Sequence, residues 1–153
     1  MEKIILKPTP EQRDILNATM DYCRIVYNKI LDYRRTFDIS FKESLRVLTE
    51  FKKQTGMRAV DSNALQQAVW ELDQKYQLFF SKSGTYPQYA KRWDSYRTFN
   101  RNNSIRIVDG MLRLPKVGFI RIEPSLDIKD IISVTVCRKG KESFFAFLKQ
   151  RNN

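Results

Sequence analysis

The stretch "YAKRWDSYRTFNRNNSIRI", residues 89–107, sets Lys91, Arg92, Arg97, Arg101 and Arg106 against a single acid, Asp94. Tyr89, Trp93, Tyr96 and Phe99 are threaded between the charges. Cations of this density make salt-sensitive contacts to phosphates, and exposed rings stack on unpaired bases for roughly 1–3 kcal/mol per base. A solvated protein face needs the charge without the rings, and a core needs the rings without the charge. A nucleic acid asks for both. The candidate contact residues are therefore Lys91, Arg92, Tyr96, Arg97, Arg101, Asn102, Asn103 and Arg106. Trp93 and Phe99 serve equally well as anchors on a core. Asn102 and Asn103 either make a turn ahead of a strand or reach base edges and sugars with their amides.

A second group stands further upstream. Ser62, Asn63 and Gln66 open a helix, where a phosphate is attracted by free N–H groups and where Gln or Asn can pair with adenine in a major groove. Ser62 is equally a helix cap, and the other two are equally solvated side chains. Arg24 and Asn28 lie one turn apart on an earlier helix and so share a face, which favours a polar tie from that helix to its neighbours.

Charge supports a polyanionic partner. Residues 1–80 hold 13 Lys and Arg against 11 Asp and Glu, whereas residues 81–153 hold 15 against 6, an asymmetry on the scale of a domain. Catalytic chemistry is narrowed by what is missing. Without histidine there is no His-based acid–base pair, triad or metal ligand. The five glycines are separated, so no phosphate-cradling loop is formed. The remaining carboxylates form no two-metal motif, and we expect neither catalytic residues, metal, cofactor nor small-molecule substrate. Cys23 and Cys137 lie far apart in apolar surroundings and read as reduced, packed thiols. No segment approaches membrane-spanning length, so a cytoplasmic protein without a membrane partner is expected.

These side chains must be positioned by a short list of elements. "KIILK" is a strand. Thr9, Pro10 and Gln12 open a long helix with a capping box, and Ser40 with Glu43 opens a second. The first should bury Ile15, Tyr22, Val26, Ile30 and Tyr33, and the second Phe41, Leu45, Leu48 and Phe51. A third helix, capped by Asp61 or Ser62, should bury Leu65, Ala68, Val69, Leu72, Tyr76 and Phe79. After a basic loop at 81–94, period-two alternation gives "SIRIV" and "MLRLP" joined at Asp109-Gly110, a hairpin pair, then "GFIRIE", "IISVTVC" and "FFAFLK". The expected fold is α+β: a small twisted β-barrel from residues 1–8 and 95–153, with a three-helix bundle, 9–80, inserted after the first strand. Phe145 and Phe147 are expected to be partly exposed.

The order of these pieces resembles a known family. "LKPTPEQRDILN…CRIVYNKIL", "NALQQAVWELDQKYQLFF" and "YPQYAKRWDSYRTF…NNSIRI…GMLRLPKVGFIRI" together are similar to the N-terminal half of the TnpB family, the OrfB-type proteins of bacterial insertion sequences related to type V CRISPR nucleases. The resemblance implies a wedge-like barrel interrupted by a helical recognition domain, which together hold a structured guide RNA and read a short motif in double-stranded DNA. It also implies that the helix carrying Gln66 faces that motif. The family's RuvC-like nuclease lies downstream of the matching region, so the expectation is no cleavage by this polypeptide alone, with a nuclease-domain partner chain conceivable. Two other readings stay open: a stand-alone regulator that binds a duplex with its helices, and an adaptor that assembles on a full-length relative or a separate nuclease subunit.

Overall fold

A computed structural model describes residues 2–151. A strand, β1 (Glu2–Lys7), leads into α1 (Pro10–Thr36), α2 (Phe41–Lys53), a single 3-10 turn (Met57–Ala59) and α3 (Ser62–Phe80). Six strands follow: β2 (Ser95–Phe99), β3 (Arg106–Val108), β4 (Met111–Leu114), β5 (Gly118–Glu123), β6 (Ile131–Lys139) and β7 (Ser143–Gln150). The class is α+β, with three helices between the first and second strands.

Both capping boxes form. Thr9 accepts from the Gln12 N–H while Gln12 reaches back to the Thr9 N–H, and Ser40 and Glu43 do the same for α2. Asp61, not Ser62, caps α3. The buried stripe of α1 is turned from the expected one. Leu16, Met20, Cys23, Tyr27 and Ile30 are fully covered, Ile15 and Tyr22 are only half-buried, and Tyr33 is exposed at the helix end. The reason is that α1 is packed against α3 as well as α2 and touches β2. Arg34 of α1 pairs with Asp73 of α3 at 2.8 Å, its guanidinium lying 4.3 Å from the centre of the Tyr76 ring. On α3 only Phe79 of the expected stripe escapes full burial.

All seven strands share one antiparallel sheet in the order β2-β6-β7-β1-β5-β4-β3. The N-terminal strand does join it, in the middle, between β5 and β7. Asp109 and Gly110 both take positive φ and turn β3 into β4, as a tight hairpin requires. Two features differ from the expectation. Residues Ser95–Phe99 form a strand that the sequence pattern did not reveal, because its inward set is Tyr96 and Thr98, only one of them apolar. The ladder also does not close: β2 and β3 are its two ends. Between them the side chain of Asn100 stands in for a ladder. Its Nδ2 donates to the carbonyls of Ile105 (2.9 Å) and Ile131 (2.7 Å), and its Oδ1 accepts from the Ile105 N–H at 3.0 Å. The barrel is thus a sheet stitched at its seam by one amide.

Alternation splits the sheet into two faces. Ile4, Leu6, Leu112, Ile120, Val134, Val136, Phe144, Ala146 and Leu148 point inward and merge with the helical residues into one core.

Candidate nucleic-acid interface

The basic stretch begins as a loop clamped to α1. Asn28 holds Ala90 from both sides, and Trp93 packs against Tyr27 with ring centroids 5.2 Å apart and planes tilted by 50°. Arg138 of β6, almost wholly buried, fastens the next residues. Its guanidinium reaches Asp94, Asn17, Asp21 and the Trp93 carbonyl. Trp93 is therefore an anchor. Tyr89 donates its hydroxyl to Asp32 and has the Arg35 guanidinium 4.6 Å from its ring centre; this hydrogen bond to a carboxylate is the main cause that raises its phenol pKa. Lys91 and Arg92 are left exposed, Arg92 in a surface pair with Asp94 at 2.9 Å. Of the two α1 residues expected to tie the helix to its surroundings, Asn28 does so. Arg24 is half-buried and makes no hydrogen bond or ion pair among the described residues.

The strand β2 sorts the next residues by face. Arg97 points outward and is exposed, and Phe99 is half-buried beside Ile132 and Lys149. Tyr96 points inward and is 4% exposed, so it has no ring face to offer a base. Its assignment as a contact residue is corrected: it belongs to the core. Burial, with Asp61 and Cys23 nearby, drives its phenol far from ionisation.

Beyond β2, Arg101, Asn102 and Asn103 are all exposed. Both asparagines take left-handed backbone, φ 56° and 58°, a conformation that asparagine tolerates better than most residues. They make the turn into β3, and their side chains stay available. Arg106 donates to the Asn103 carbonyl at 2.8 Å and stands 5.5 Å from the Phe119 ring centre.

At the start of α3, Ser62 and Asn63 are half-buried and Gln66 is exposed. Asp61 is buried beneath them, its Oδ1 accepting from the Asn63 N–H at 3.0 Å. Burial raises its pKa, opposed by the Thr98 hydroxyl, the Asn63 N–H, Lys116 and Arg101. Thr98 Oγ1 and Asp61 Oδ2 nevertheless close no hydrogen bond of good geometry. The two sequence groups are thus linked electrostatically here, since Arg101 of the basic stretch favours the charged form of Asp61 at the start of α3. Lys116, from the turn between β4 and β5, acts on Asp61 in the same direction and was missed by the sequence reading. So was Trp70, one turn beyond Gln66 and 44% exposed. Lys91 and Arg92 are on the clamped loop, and neither acts on Asp61.

The outer face of the sheet carries a larger array. Lys3, Ile5 and Lys7 alternate outward on β1, and Phe145, Phe147 and Lys149 do so on β7. Lys3 is opposite Phe147 and Ile5 opposite Phe145. The two rings meet edge to face at 5.8 Å, with Lys3 Nζ 4.8 Å from the Phe145 centre. Arg121 of β5 is opposite Lys7, and Arg97 of β2 projects from the same side. Glu123, opposite Ile5, is the acid on these outer positions of β1, β2, β5 and β7, and it stands 3.9 Å from Lys7. Phe145 and Phe147 are half-buried, as expected. Only β1 and β7 read as neighbours would have disclosed the array, and 135 residues lie between Lys7 and Ser143 in the chain.

Comparison with known proteins bears on the same elements. Residues 3–36, which are β1 and α1, match a helix-turn-helix domain of the OrfB type found in IS605 elements. A Streptomyces pristinaespiralis protein assigned by name as an RNA-guided DNA endonuclease is 36% identical over 94 residues. In the matched parts the chain is similar to TnpB/OrfB-type proteins. InsQ of Escherichia coli K12, assigned the same role by name, is 25% identical over 146 residues, 88% of this chain. The matched parts cover 23% and 36% of these two relatives, so the chain spans well under half of either. Within 3–36 the structure holds one strand and one helix, with no turn between helices.

Proposed function

We propose that this chain holds nucleic acid within an RNA-guided, TnpB-like DNA-targeting system, gripping structured guide RNA and the target duplex without cutting either. The observation that carries this reading is the outer sheet face: five cations, Lys3, Lys7, Arg97, Arg121 and Lys149, surround the Phe145–Phe147 pair with Glu123 as their acid. Cations supply affinity to the phosphate backbone, and rings on an open antiparallel sheet stack unpaired bases. The α3 N-terminus, with Ser62, Asn63, Gln66, Arg101 and Lys116, is a separate locus suited to a duplex. Cleavage is assigned elsewhere, to a nuclease domain or partner chain. Among the described residues no group of three or more carboxylates or cysteines is placed to hold a metal ion.

The test is to express the chain in its native host, purify it at moderate salt and sequence the nucleic acid that accompanies it. One abundant, discrete RNA is expected. Replacing Lys3, Lys7 and Arg121 by Gln should weaken binding and make its salt dependence shallower, by about one in slope for each phosphate that is no longer neutralised. Duplex DNA sharing a motif, bound without RNA, would instead favour a stand-alone regulator. Nothing bound would overturn the reading in favour of a protein adaptor.

A further inference from the structure

The seam of the sheet opens into a cavity of about 490 Å³ between the β2–β3 turn and residues 127–132. It exists because the ladder does not close. Asn100 stitches the seam at Ile105 and Ile131, but beyond that point β3 has a neighbour on one side only. Ile107, Ile128 and Ile131 give the cavity an apolar floor, and Arg106, Lys129 and Arg151 bring cations to it. Asp127 and Asp130 also line it. None of these five charged side chains pairs with another among the described residues. The surroundings are fixed: the Arg151 N–H donates to the Asp130 carbonyl at 2.9 Å, and Arg106 is held by the Asn103 carbonyl.

We infer that this seam cavity takes one nucleotide turned out of a bound strand, its base on the isoleucines, its phosphate on the cations and its amino group on the carboxylates. The inference rests on the nucleic-acid reading above and deepens it. The volume falls in the range of small-ligand sites, about 300–1,000 Å³. An apolar floor receives a base face. Unpaired charges of both signs are what a nucleotide satisfies, since it carries an anionic phosphate and base donors. Carboxylates accept from base amino groups, as Asp and Glu do from cytosine N4. UMP, which has no amino group, should therefore bind more weakly than CMP or GMP.

The experiment is a titration of the whole chain with CMP, GMP and UMP, followed by backbone amide NMR shifts. Shifts confined to residues 103–107 and 127–131 are expected, stronger for CMP and GMP than for UMP. Arg106→Gln with Lys129→Gln should weaken binding at least tenfold, and Ile128→Trp, which fills the cavity from a half-buried loop position, should abolish it. Asp127→Asn with Asp130→Asn should erase the preference over UMP. If the chain binds RNA while the nucleotides move only outer-face residues such as Phe145, the inference fails and the proposed function stands. If neither RNA nor nucleotides bind, both fail. A response to a strand-forming peptide such as Val-Thr-Val-Thr-Val, with none to nucleotides, overturns the inference in favour of peptide pairing at the β3 edge.

Discussion

Asn28 of α1 grips Ala90, in the loop ahead of β2, with both ends of its amide: Nδ2 donates to the Ala90 carbonyl at 3.0 Å, and Oδ1 accepts the Ala90 N–H at 2.8 Å. A side chain here does what a neighbouring strand would do for that residue, and it fixes where the basic stretch leaves the helices. Asn28→Ala removes both hydrogen bonds at a half-buried site, leaving a backbone donor and acceptor to find water. The expected loss is about 1–3 kcal/mol, read from urea unfolding. Amide exchange at Ala90 should accelerate well beyond the change at distant core amides. An unchanged rate at Ala90 would show that the grip is not made in solution.

How far the sequence discloses this arrangement depends on the distance over which each interaction acts. Caps are local, so both boxes at Thr9–Gln12 and Ser40–Glu43 were readable from four residues each. The Asp109-Gly110 hairpin was readable for the same reason. The strand Ser95–Phe99 was not, because polar Thr98 faces inward and apolar Phe99 outward, and its pairing partner, β6, lies more than thirty residues away. Tyr96 illustrates the consequence for the site: a tyrosine among arginines resembles a stacking ring until the strand's register turns it inward. Arg138 was silent for the converse reason. An arginine at the end of a strand reads as a solvated charge, and only the fold brings Asp21, Asp94 and Asn17 around it. The outer-face array needed the β1–β7 pairing, a contact that no local pattern specifies.

Tyr96→Phe separates the core assignment from the contact assignment. The Tyr96 hydroxyl is buried and has no hydrogen-bond partner, so the native chain bears the cost of a desolvated polar atom. Deleting the oxygen while keeping the ring should leave stability unchanged or raise it by up to about 1 kcal/mol, measured by thermal unfolding. Nucleic-acid affinity should not move. A selective loss of affinity in a fully folded Tyr96→Phe protein would return this residue to the interface and imply that β2 detaches when the partner binds.

Asp61 makes stability depend on pH in a direction that can be checked. Burial raises its pKa above the ordinary carboxyl value, although Thr98, the Asn63 N–H, Lys116 and Arg101 all favour the charged form. A carboxyl of this kind binds its proton more tightly in the folded chain than in the unfolded one. Its contribution is therefore full below the unfolded pKa and is lost as pH rises through the higher folded value. Asparagine caps a helix about as well as aspartate and does not titrate, so Asp61→Asn removes the effect while keeping the start of α3. Relative to the native chain, Asp61→Asn should gain stability as pH is raised from about 4 to 7, with the difference smallest at the acid end. Glu71 is also raised by burial, against Lys75 and Arg97, and Glu71→Gln is the control that separates the two contributions. A relative stability of Asp61→Asn that falls over the same range would mean that Lys116 and Arg101 outweigh burial. Those two cations would then be held by Asp61 at the α3 N-terminus and would be less available to a phosphate.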